Sequence, residues 1–275
     1  PEPGSLATPW LDRMADAIRA ADEVRAITGR VLGERPSHMQ ALRAQALASS
    51  PLSAGLRLDG RMAEALEMND RARATWREFV RIDPGNTISW SNLAVSYFIR
   101  SDILLDMGRL ADAVANYREA LALERETKPS LMLWSGLANN AGRLALTESM
   151  RGNPARASEA LATSQRLRAW TITQMPEGSF ERKLRPHVDE FWQSAAAWAI
   201  GAHERAVALG QSFTTKVEPL EPTREDEKSD WVLWLGFAYE NTAEAAYALG
   251  DYALAERAIA RGQELRKTLT GLLAE

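Results

Sequence analysis

Five glycines, Gly60, Gly108, Gly152, Gly201 and Gly250, stand 48, 44, 49 and 49 residues apart, and five prolines, Pro36, Pro84, Pro129, Pro176 and Pro222, stand 48, 45, 47 and 46 apart. Two interleaved rulers of nearly one pitch constrain the fold more than anything else in the chain. Glycine tolerates the left-handed backbone that closes a helix, whereas proline disfavours helix in the residue before it and has no amide hydrogen with which to continue one. Each ruler therefore marks a different joint of one repeated helix-turn-helix unit, since a period of 20 to 50 residues is the signature of stacked repeats.

Side-chain size repeats in the same register. Five positions after the glycines stand Ala65, Ala113, Ala157, Ala206 and Ala255, and seven before them stand Ser53, Ser101, Ala145, Ser194 and Ala243. Small residues at both offsets let two helices of a hairpin approach closely. Between the anchors, apolar residues recur at three and four, as in Leu110 to Leu121 and Tyr252 to Leu265, while alternating β-branched runs are missing. The chain reads as all-α, with helices expected at 9–34, 37–58, 61–82, 86–107, 109–126, 130–150, 154–174, 186–200, 202–217, 227–249 and 251–271. Two less regular stretches, Met175 to Pro186 and Glu218 to Asp230, read as enlarged surface loops between helix pairs. Residues 1–8 read as a flexible lead-in, and a start without Met reads as a piece of a longer polypeptide.

The residues after each glycine resemble the tetratricopeptide repeat family, whose second helix opens with Gly, then Ala five later, a large apolar residue nine later and a small one twelve later. Gly108, Ala113, Tyr117 and Ala120 follow that pattern fully. Gly152, Ala157, Leu161 and Ser164 follow it closely, as do Gly250, Ala255, Ile259 and Gly262. Gly60, Ala65, Asn69 and Ala72, and Gly201, Ala206, Gly210 and Phe213, follow it more weakly. The units are longer than the usual repeat of about 34 residues, so the resemblance is to a long-helix variant. It implies a right-handed α-solenoid of antiparallel helix pairs, with an N-terminal helix and about five repeats at 37–84, 85–129, 130–176, 177–222 and 223–271, forming one domain over 9–275.

The same resemblance implies a concave groove lined by the first helix of each pair, at offsets of 13, 10, 6 and 3 before each glycine. The binding candidates so placed are Phe98 and Asp102, Asn139 and Ser149, Phe191 and Trp198, and Phe237, Glu240, Glu244 and Tyr247. Aromatics mixed with acids suit an apolar or basic segment better than an acidic tail. Phe98, Phe191 and Phe237 are equally open to a second reading, in which they pack between neighbouring helices.

Trp192, Trp198, Trp231 and Trp234 could form a ligand box, but Trp90 and Trp134 recur in register with their glycines, which favours packing. Arg73, Arg77 and Arg81 form a basic stripe interspersed with acids, read as a solvated face. His187, Asp189, Glu190, His203 and Glu204 are the one set resembling metal ligands, and no metal-binding spacing supports it. No phosphate-cradling loop or nucleophile elbow occurs, and three histidines on helices give little for acid–base chemistry. No catalytic residue, metal or cofactor is expected, and the protein is read as not an enzyme.

With 33 Lys+Arg against 37 Asp+Glu, the net charge of −4 offers no field for a nucleic acid, and no apolar run reaches membrane-spanning length. The absence of cysteine fits cytoplasm or periplasm, of which the cytoplasm is preferred. Arginine outnumbers lysine 28 to 5, a composition read as bacterial. The expectation is a soluble scaffold or regulatory module that binds a protein or peptide segment in its groove. The alternatives are a self-associating, homo-oligomeric region of a larger signalling or transcription protein, and a small-ligand-binding helical domain.

Overall fold

The computed structural model describes the backbone of residues 8–272 and the side chains of residues 18–57, 59–224 and 227–268. Of the lead-in expected at 1–8, residues 1–7 lie outside the described residues. Twelve α-helices and no strand occur among the described residues. Two compact units divide the chain after Asn140, within the sixth helix.

The first unit contains α1 (Thr8–Glu34), α2 (Met39–Leu58), α3 (Met62–Ile82), α4 (Thr87–Asp106), α5 (Leu110–Ala122) and the first half of α6 (Leu131–Met150). The second contains the rest of α6, then α7 (Pro154–Gln174), α8 (Phe180–Leu184), α9 (Val188–Ala199), α10 (His203–Val217), α11 (Glu225–Ala248) and α12 (Tyr252–Leu272). Helices adjacent in sequence pack on each other, as in α1 to α5 and α9 to α12, and the next-but-one pairs α2–α4 and α9–α11 also touch. Short connections leave consecutive helices no arrangement but antiparallel neighbours.

The glycine ruler acts through backbone geometry. Gly60, Gly108, Gly152, Gly201 and Gly250 have φ between +71° and +79°, a region in which a Cβ meets the carbonyl oxygen. Each closes its helix with the same pair of hydrogen bonds. At the first, Gly60 N donates to Arg57 O at 3.1 Å and Arg61 N to Leu56 O at 2.8 Å, the two bonds of a Schellman cap. The pairs from Gly108 and Arg109, Gly152 and Asn153, Gly201 and Ala202, and Gly250 and Asp251 repeat it within 2.8–3.0 Å. The next helix starts at once, because the residue after each glycine offers its carbonyl at 3.0 Å to the amide of the alanine four residues on.

The small-residue seams are closed. All ten positions, from Ser53 and Ala65 to Ala243 and Ala255, are buried, none more than 5% exposed. A serine in this seam must find an acceptor or donor away from water. Ser194 Oγ donates to Ala206 O at 2.8 Å, joining the two seam positions of one hairpin, and Ser101 Oγ accepts from Asn116 Nδ2 at 2.6 Å.

At the proline joints, Trp90 Nε1 donates to Pro84 O and Trp231 Nε1 to Val217 O, both at 2.9 Å. Each indole stands near the start of its helix and ties the incoming chain to it. The core of the second unit is aromatic: Phe191, Trp192 and Phe213 are buried with Leu184, Val217 and Trp231, and burial of each such side chain is worth about 1.5–3 kcal/mol. Their rings meet edge to face, with Phe191 and Trp234 centroids 5.2 Å apart at 79° and those of Trp192 and Trp234 6.0 Å apart at 89°, as ring quadrupoles prefer.

Both expected loops hold structure, and in the second a 3-10 turn at Glu218–Leu220 is followed by α11 from Glu225. In the first, Phe180–Leu184 is a single helical turn, capped by Ser179 Oγ accepting from Arg182 N at 3.3 Å and continued by a 3-10 turn over Arg185–His187. Phe180 and Leu184, four apart, both enter the aromatic core. A five-residue turn is too short to carry a periodic signal in sequence, so its burial decides its conformation.

Candidate functional site

Four of the expected binding residues meet in one cleft of the second unit. Trp198 at the end of α9, and Glu240, Glu244 and Tyr247 on α11, line a cleft of about 550 Å³ whose other wall is α12, through Ala258, Ile259, Gly262, Gln263 and Arg266. The α11 residues fall three and four apart, so one helical face presents them together. Phe237, a turn earlier, is 41% exposed.

The walls differ in character. Trp198 is half-buried against Ala197, Ala206 and Ala245 and turns its remaining surface to the cleft. Tyr247 is 67% exposed and its ring rests edge to face on Tyr252 of α12, with centroids 5.3 Å apart at 67°. Ile259 is half exposed and Ala243 and Ala258 close the floor. Of the two carboxylates, Glu240 is ion-paired with Arg266 across the cleft. Glu244 is exposed and has no hydrogen-bond or ion-pair partner among the described residues.

The remaining candidates lie elsewhere. On α4, Phe98 is half-buried and Asp102 is buried, its carboxylate 3.5 Å from Arg57 Nη1 of α2. Arg57 also grips Asp106 at 2.5 and 3.3 Å. Burial opposes the Arg57 charge, but the hydrogen bond to Asp106 and the two carboxylates outweigh it and hold the guanidinium above its ordinary range. On α6, Asn139 is half-buried and Ser149 is buried. Phe191 is buried in the aromatic core, 4.9 Å from the Trp192 ring.

The sets that the sequence left as alternatives acquire neighbours. Trp192 and Trp231 are each 4% exposed and belong to the core, with Trp234 packed on it. No group of three or more His, Cys, Asp or Glu suited to a metal ion occurs among the described residues. Asp189 instead meets Arg168, and Glu190 meets Lys216 and, at 3.2 Å, Ser212. Arg73 pairs with Asp70 and Glu119, Arg77 donates to the Tyr97 hydroxyl, and Arg81 pairs with Glu78. No helix among the described residues is long and apolar enough to cross a membrane.

A second cleft, of about 680 Å³, opens on another side of α11 between α10 and α12, among Thr214, Glu218, Tyr239, Thr242, Arg257 and Arg261. Glu218 Oε1 accepts from Tyr239 Oη at 2.8 Å and from Arg261 Nε at 2.9 Å. Burial, and then the hydrogen bond and charge of Glu218, push the Tyr239 phenol up to about 12. Its polar groups largely satisfy one another, so this cleft is a structural joint between the 3-10 turn at Glu218–Leu220 and the last two helices.

The α12 wall of the first cleft was not foreseen. Ile259, Gly262 and Arg266 recur at three and four on α12, a pattern visible in sequence but outside the first helices to which the resemblance assigns the groove.

No protein-family profile and no curated protein matches the chain by sequence. Among solved structures, BtubC (BKLC) from P. vanneervenii is similar, with a TM-score of 0.58 and 18% identity over 95% of this chain and 92% of that one. A likeness at that identity concerns the fold.

Proposed function

We propose that the chain is a TPR-like, right-handed α-solenoid serving as an interaction module, which binds a segment of a partner protein along the face of its first helices. The cleft at Trp198, Glu240, Glu244 and Tyr247 is the observation that carries this reading. Residues projected from a repeat register converge there on an open, half-apolar surface with a free carboxylate, which is what a peptide-binding groove needs: apolar area for affinity and few polar groups for orientation. The repeated Schellman joints and the helix contacts between next-but-one neighbours support the solenoid.

Selection of a random peptide library displayed on phage against the whole chain tests the module. Enriched peptides are expected to lose binding to the Glu240→Ala/Tyr247→Ala double variant. Peptides that bind both proteins equally would move the site away from this cleft, and failure to enrich any peptide would remove the peptide-binding reading.

A further inference from the structure

The charges in the α9–α11–α12 cleft do not balance, and the imbalance has a definite chemistry. Arg266 already satisfies Glu240, while Glu244 stands exposed without a partner four residues along the same face. Around it are two aromatic side chains, Trp198 and Tyr247, and the aliphatic surface of Ile259. Aromatic faces attract cations, most strongly Arg on Trp or Tyr. A long basic side chain matches the rest of the cleft as well, since its methylene stem covers apolar surface while its head reaches a carboxylate.

We propose that this cleft takes an arginine side chain of a partner segment, its guanidinium pairing with Glu244 and lying against Tyr247, its stem along Ile259 and Trp198. The proposal deepens the peptide-binding reading and rests on it. Charge complementarity selects the occupant: an acidic segment would meet the free carboxylate of Glu244 with no unpaired cation nearby, because Arg266 is held by Glu240. Arginine is preferred over lysine, because a planar guanidinium can both stack on a ring and bond a carboxylate through two N–H groups.

The test is isothermal titration of the whole chain with three end-blocked octapeptides in which alanine alternates with arginine, lysine or glutamate, at an ionic strength of about 150 mM so that diffuse attraction is screened. The arginine peptide is expected to bind more tightly than the lysine peptide, and the glutamate peptide not at all. Glu244→Gln should weaken the arginine peptide by about tenfold, and Tyr247→Leu should weaken it as well. Glu256→Gln, an exposed acid on α12 outside the cleft, should leave affinity unchanged. Equal loss in Glu244→Gln and Glu256→Gln would reduce the effect to net charge and overturn the proposal, as would no loss in Glu244→Gln or no binding of the arginine peptide. Phage-selected peptides that lack arginine yet depend on Glu240 and Tyr247 would leave the interaction module standing and remove this occupant alone.

Discussion

The indole of Trp192 on α9 lies across the bare α-carbon of Gly142 on α6. A methyl group built on Gly142 would come within 2.5–2.6 Å of Nε1, Cδ1 and Cδ2 of that ring. Arg143, the next residue, places its guanidinium carbon 5.4 Å from the ring centroid. Glycine is thus retained inside a helix where alanine would favour the helix by about 1 kcal/mol, because the large ring occupies the space.

That packing gives two glycine substitutions opposite signs. Gly142→Ala is expected to destabilise by about 1–3 kcal/mol through overpacking. Gly236→Ala, inside α11 with nothing within 4 Å of its would-be Cβ, should stabilise by about 0.4–1 kcal/mol. Urea denaturation of both variants measures the difference, and equal shifts would contradict the close approach of Trp192.

At the helix joints the constraint is in the backbone. Gly108→Ala keeps free space around the new methyl but must hold φ near +71°, so a loss of about 1–2 kcal/mol is expected. Because the five joints share one geometry, Gly250→Ala should cost a similar amount. Chemical denaturation with an unchanged m value would assign the loss to stability and not to a change in the compactness of the unfolded chain.

Arg168 on α7 is 1% exposed and donates to Asp189 Oδ1 of α9 at 3.0 Å, with Ser164 Oγ donating to the same oxygen at 3.0 Å. Burial presses the Arg168 pKa down and the charge of Asp189 opposes it. Asp189→Asn leaves a cation inside the unit and is expected to cost about 3–5 kcal/mol, whereas replacing the pair by Arg168→Met/Asp189→Leu should cost much less. Comparison of the two by thermal or urea unfolding separates the pair's own value from the penalty of an orphaned charge.

The Tyr239 phenol, ordinarily near 10.0 and here raised to about 12, gives an alkaline signature. Its neutral form is favoured in the folded chain, so the stabilisation is complete below pH 10 and is lost as pH rises towards 12. Spectrophotometric titration near the phenolate band should show a late-ionising component that is lost in Tyr239→Phe. The same variant should show a shallower loss of stability above pH 10.

Much of the fold was legible because helix joints are local. The turns at Gly60 through Gly250 need a left-handed residue, and the hairpin seams need small ones, so both requirements leave marks at fixed offsets. Which of the candidate residues share a cleft was legible only in part, since offsets give a helix's register and not what its neighbours do. Glu240, Glu244 and Tyr247 fall on an open face of α11, but at a corresponding offset Arg57 reaches over Asp102 from another helix. Phe191 stands only three residues into the short helix α9 and is buried in the aromatic core. The opposite wall of the cleft was missed because α12 contributes it through tertiary packing.

The pairing of helices with their sequence neighbours also governs how the chain reaches its structure. Among the described residues, the helix pairs α1 to α5 and α9 to α12 join segments one connection apart, so little loop entropy is lost before such an interface is rewarded. A hairpin whose seam has closed presents a surface on which the helix next in sequence can dock without closing a long loop.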